Sequence, residues 1–113
     1  MVLGDATFAL VELVLAEPLL LQGKRVVELG SGAGLASMLL AMFGGAASIV
    51  ATDYLPDVLE NLAHNIARNA ALLEARAAAP LTVAALDWTS ITGADAARLA
   101  PDVIVAADVV CVT

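Results

Sequence analysis

Cysteine, basic residues and aromatics are all scarce in this chain of 113 residues, and each scarcity removes a class of function. With Cys111 as the single cysteine, no disulfide can form within the chain, which fits a reducing, cytoplasmic setting. Five Lys and Arg residues stand against 12 Asp and Glu, for a formal charge of −7, and the basic residues form no cluster. A nucleic-acid groove neutralises phosphates with several clustered cations, so that class is excluded. The acidic balance favours a cationic partner instead, such as a basic protein segment. His64 is the only histidine, and neither it nor Cys111 has metal-ligand spacing, so no metal site is expected. Aromatics supply 4% of the residues while 61% are hydrophobic, so the core must be Ala, Val and Leu. A long apolar run is missing too. Leu29 to Thr52 carries no charge, but Gly30, Gly32, Gly34 and Gly44-Gly45 interrupt it, and Met38 to Phe43 is too short to cross a bilayer. Asp5 and Glu12 stand where a secretory signal would carry basic residues.

What the chain has in place of these is glycine at short intervals. In Val26-Val27-Glu28-Leu29-Gly30-Ser31-Gly32-Ala33-Gly34-Leu35 an apolar run ends in an acid, and glycines then alternate with small residues. A second apolar run, Ile49-Val50-Ala51-Thr52-Asp53, also ends in an acid. Glycines at a strand-to-helix turn let backbone N–H groups approach a ligand with no Cβ in the way. An acid at the tip of the next strand can accept hydrogen bonds from both hydroxyls of a ribose. The competing role for Asp53 is to cap the helix that starts near Pro56. Spacing separates the nucleotides. The dinucleotide fingerprint G-x-G-x-x-G needs glycine at 35, where this chain has Leu35, and that counts against a nicotinamide-dependent oxidoreductase.

Around these motifs helix and strand patterns alternate. Asp5 is placed to cap a helix over residues 6–17 whose apolar face includes Phe8, Val11 and Leu15. Strands are expected over 25–29, 48–52, 81–86 and 102–107, and helices over 35–43, from 56 onward and over 94–99. Leu59, Leu62, Ala63 and Ile66 make the inner face of the helix after Pro56, and His64 lies on its polar side. The Ala-rich stretch 70–79 either prolongs that helix or links it to the next strand. The pattern implies one α/β domain over 1–113, with about four parallel strands and flanking helices.

The register E-x-G-x-G-x-G from Glu28 resembles the first motif of the class I S-adenosylmethionine-dependent methyltransferases. Leu86-Asp87-Trp88, Ala106-Ala107-Asp108-Val109-Val110, and Asp53 with Leu59, Asn65 and Asn69 narrow the resemblance to the eukaryotic methyltransferase-like protein-lysine methyltransferases. Within that group the elongation factor 2 lysine methyltransferase branch is the most similar. The resemblance implies S-adenosyl-L-methionine as cofactor and a protein substrate with an exposed lysine. It assigns Glu28, Gly30, Ser31, Gly32 and Gly34 to the methionine and ribose end. Asp53 and Tyr54 follow at the next strand tip. Asp87 is assigned to the adenine amino group, Trp88 lies beside the purine or plugs the core, and Asp108 faces the methionine amino group or the substrate. No residue is singled out as a general base. The family's Rossmann-like sheet has three further strands, so the chain reads as its N-terminal part. Its last strand would then be an apolar edge open to pairing, and a non-catalytic cofactor-binding or partner-pairing module is the alternative. Cys111 stands where the group usually places a tyrosine.

Overall fold

The structure, a computed structural model, describes residues 3–106. Its elements follow in the order α1 (Leu3–Ala16), β1 (Arg25–Glu28), α2 (Leu35–Phe43), β2 (Ser48–Asp53), α3 (Pro56–Arg68), α4 (Ala70–Ala75), β3 (Leu81–Ala85), α5 (Gly93–Leu99) and β4 (Val103–Val105), with a 3₁₀ turn at Trp88–Ser90. The four strands form one sheet in the order β3-β2-β1-β4, and every pair is parallel. Parallel neighbours need crossovers, and the helices supply them. The chain builds outward from β1 through β2 to β3, then returns to place β4 on the other side of β1. The strand order therefore reverses between β1 and β4, where the carboxyl ends of an open α/β sheet leave a crevice for ligands.

Val26, Leu40 and Ile49 are fully buried and tie β1, α2 and β2 together, with Leu21 and Val14 closing the core from the α1 side. α2 packs on β2 with α1 behind it, and α3 lies against β2 and β3. Gly44 ends α2 beside Leu21 and Val14, where a Cβ would stand 2.8 Å from the Leu40 carbonyl oxygen. At the far end of the sheet, Arg25 and Asp102 fasten β4 to β1. The Arg25 N–H donates to the Asp102 carboxylate at 2.9 Å, and the Asp102 N–H donates to the Arg25 carbonyl at 2.8 Å.

Several expectations need correction. α1 starts at Leu3, so Asp5 lies within the helix and not ahead of its first residue. Its buried face carries Thr7 and Val14, with Leu10 and Val11 partly covered, while Phe8 and Leu15 are more than half exposed. The helix is apolar nearly all round. At about 100° per residue the buried stripe is set by where α2 meets it, not by hydrophobicity. On α3, Leu62 is fully buried but Ala63 is exposed. The Ala-rich stretch does not extend α3: residues 70–75 form a separate short helix, and 76–79 link it to β3. Asn69 ends α3 with φ −104° and ψ 10°, and α4 starts at the next residue. Asp108 and Cys111 lie outside the described residues. No described helix is long and apolar enough to cross a membrane.

The two faces of α1 can be told apart by stability. Val14→Ala, on the buried face of α1, lowers the unfolding free energy in urea by about 1–3 kcal/mol, and Leu15→Ala on the outer face changes it by less than about 0.5 kcal/mol. Equal effects would contradict this packing.

Candidate functional site

The site begins where β1 stops. β1 and β2 pair with Glu28 opposite Ala51, so β2 runs two residues further and carries Thr52 and Asp53 over the loop that follows Glu28. Thr52 is fully buried and stitches the loop down. Its hydroxyl donates to the Glu28 carbonyl, its N–H donates to Ser31 Oγ at 3.0 Å, and its carbonyl accepts the Ser31 N–H at 2.8 Å. Ser31, expected at the cofactor, thus has its hydroxyl turned toward the protein.

Gly30, Gly32 and Gly34 all have positive φ, at 64°, 54° and 92°. Two of them serve different ends. A Cβ on Gly34 would lie 2.6 Å from Leu62 Cδ1, so glycine there lets α3 press against the start of α2. A Cβ on Gly32 would meet nothing within 4 Å, so the crest of the loop faces open space. At that crest the Gly32 N–H donates to Asp53 Oδ2 at 3.1 Å, and the Tyr54 N–H donates to Asp53 Oδ1 at 2.8 Å. The capping role for Asp53 is therefore not adopted: Leu55 is the N-cap of α3, and no side chain caps it. Each Asp53 oxygen holds one N–H and keeps a lone pair for a further donor.

Beneath the loop, Glu28 is 2% exposed and accepts a hydrogen bond from the Ser37 hydroxyl of α2. Burial pushes its carboxyl above the ordinary range, and the neighbouring Asp53 charge adds to the rise. The Ser37 and Ser31 hydroxyls hold it back. Glu28 thus acts from below the loop, on its shape.

A second group gathers beside β3. Asp53 pairs with Ala85, and the Leu86 N–H donates to the Asp53 carbonyl at 2.9 Å, so the tips of β2 and β3 are joined. There Tyr54, Leu86, Asp87, Ser90 and Asp95 line an open pocket of about 320 Å³. Asp87 caps the 3₁₀ turn, accepting from the Thr89 N–H at 3.0 Å and the Thr89 hydroxyl at 2.6 Å. The Thr89 hydroxyl and then the Thr89 N–H hold the Asp87 carboxyl below its usual range, with Ser90 adding to the effect. Trp88 is half-buried in that turn and is not part of the pocket lining. Of the sequence-predicted residues, Glu28, Gly30, Ser31, Gly32, Gly34 and Asp53 come together at the loop, and Tyr54 and Asp87 at the pocket. Thr52, Ser37 and Asp95 were missed. Asp95 had a local signal, the capping box Thr92-x-x-Asp95, which marks a helix start and says nothing of a pocket.

A family model described as lysine methyltransferase matches residues 6–113. The chain is 36% identical over 114 residues to human protein-lysine N-methyltransferase EEF2KMT and 32% identical to the mouse protein of that name. Both alignments cover 96% of this chain and 34% of the relative. The chain therefore spans about a third of the length of the curated relatives it matches. Among solved structures, a protein of the NADB-Rossmann superfamily from Streptococcus agalactiae superposes with a TM-score of 0.60 at 13% identity, covering 91% of this chain and 39% of that one. A Streptococcus pneumoniae protein solved with S-adenosyl-L-methionine gives 0.58 at 19% identity, covering 88% and 42%. At such identities the likeness is one of fold.

The buried Glu28 carries a pH signature. Its carboxyl is raised in the folded state, so its charge costs stability above the ordinary carboxylate range, and that cost fades as pH falls through the raised value. Glu28→Gln keeps an acceptor for Ser37 without the charge. It raises the urea midpoint more at about pH 8 than at about pH 5, and a gain independent of pH would contradict the buried charge. Gly34→Ala, strained by φ and blocked by Leu62, lowers stability by about 2 kcal/mol or more, beyond the roughly 1 kcal/mol that Gly32→Ala costs from backbone alone.

Proposed function

The chain belongs to the lysine methyltransferase family whose model matches it over residues 6–113, and from that membership we propose that it binds S-adenosyl-L-methionine for methyl transfer to a protein lysine. One observation carries the cofactor reading: the Gly32 N–H and the Asp53 carboxylate meet at 3.1 Å beside open space, at the carboxyl ends of β1 and β2. Asp53 has lone pairs to spare for the two ribose hydroxyls, and the loop has no side chain where the ligand must come close. Tyr54 and Asp87, one step further along the sheet tips, offer a ring face and an acceptor to a base.

S-adenosyl-L-methionine supplies a methyl group on a sulfonium, open to in-line displacement by an amine. The contribution of this chain is position. Asp53 orients the ribose, the loop from Gly30 to Gly34 sets the approach of the methionine end, and buried Glu28 with Ser37 holds the loop from beneath. Asp108, outside the described residues, belongs to the proposal as the group facing the methionine amino end or the substrate. The incoming lysine reacts as the neutral amine, and no described residue is assigned to take its proton; desolvation favours that form. A formal charge of −7 suits a basic protein segment as partner, in a cytoplasmic setting.

Calorimetric titration with S-adenosyl-L-homocysteine tests the reading. The chain binds it, and Asp53→Ala weakens the binding at least about tenfold through lost charge-assisted hydrogen bonds. Absence of any binding sinks the cofactor claim, and binding indifferent to Asp53→Ala removes Asp53 from the ribose.

A further inference from the structure

The glycine loop is held on three sides, by β2 through Thr52 and Ser31, by α2 through Ser37 and Glu28, and by α3 through a single polar side chain, Asn65. Asn65 Nδ2 donates to the Ala33 carbonyl at 3.0 Å, across 32 positions of sequence. At the other end of the same peptide unit, the Gly34 N–H donates to the Ser31 carbonyl at 2.9 Å. The Ala33–Gly34 peptide runs into Gly34, whose positive φ of 92° is open to glycine at little cost. Its orientation is held by these two hydrogen bonds, one at each end of the peptide. The Ala33 N–H makes no hydrogen bond among the described residues, and a Cβ on the preceding Gly32 would meet nothing within 4 Å.

We propose that Asn65 is a positioning residue for the cofactor: from α3 it fixes the Ala33 carbonyl and so pre-orients the crest of the loop that receives S-adenosyl-L-methionine. This rests on the cofactor reading above. Asn65 does not reach the ligand. It lowers the cost of ordering the loop at the moment of binding, which is how preorganisation raises affinity. Its neighbour Asn69 is the matched control. Asn69 Nδ2 donates to the Asn65 carbonyl at 2.8 Å and so supports the end of α3 without touching the loop.

The test is titration of S-adenosyl-L-homocysteine into the unsubstituted chain and into Asn65→Ala, Asn65→Asp and Asn69→Ala, with thermal unfolding of each. Alanine forms helix better than asparagine, so a loss of affinity in Asn65→Ala does not trace to a weaker α3. Asn65→Ala binds about three- to tenfold more weakly with little change in unfolding midpoint. Asn65→Asp binds more weakly still, since a carboxylate opposes the Ala33 carbonyl. Asn69→Ala shifts affinity less than about twofold. The proposal is overturned if Asn65→Ala binds within twofold of the unsubstituted chain, or if Asn69→Ala weakens binding as much. If the unsubstituted chain does not bind, the cofactor reading falls and the role of Asn65 falls with it. If it binds and Asn65→Ala binds equally, only the role of Asn65 is lost.

Discussion

Thr52 sits where strand pairing and site geometry become the same constraint. Its side chain is fully buried, and its hydroxyl, N–H and carbonyl are all spent on Glu28 and Ser31. Those partners exist only in the register that sets Glu28 opposite Ala51. A slip of one residue would turn Thr52 to the other face of the sheet and leave buried polar groups unpaired. The same slip would carry Asp53 away from Gly32. A structure that keeps its interior polar groups satisfied therefore also keeps the carboxylate over the loop.

Around this anchor the chain accepts local instability. Glu28 is a carboxyl group under cover, held by hydroxyls without a cation among its described contacts, and a well-packed apolar residue would be easier to bury. Three glycines hold positive φ within five positions. None of this is needed to close a sheet, whose core of Val26, Leu40 and Ile49 is ordinary aliphatic packing. The concentration of left-handed glycines and buried polar groups at the carboxyl ends of the two central strands is what makes this region a site candidate.

Some elements were legible because punctuation bounded them. α2 runs over Leu35–Phe43 as its pattern implies, since Gly34 begins it and Gly44 ends it. β1 and β2 were legible as apolar runs without alternation, which a parallel sheet requires of central strands covered on both faces. The burial of α1 was not legible, because a helix apolar on most sides has no preferred face until a neighbour selects one. Nor was the break at Asn69, since alanine on both sides favours helix equally well. An acid at the tip of the second strand was legible at Asp53, but that it leaves the start of α3 uncapped depended on Leu55 taking the N-cap.

Residue order alone was enough to place the glycine turn between two buried strands and to set an acid at the tip of the second. Glycine's backbone freedom and the cost of burying a carboxylate are properties of single residues, so they can be read one position at a time. The contacts that shape the site join positions 21, 24 and 32 apart, Gly32 to Asp53, Glu28 to Thr52 and Ala33 to Asn65. No local pattern marks such pairs. They come into being when parallel strands take their register and α3 settles on Gly34, and only then do Thr52, Ser37 and Asn65 acquire a role.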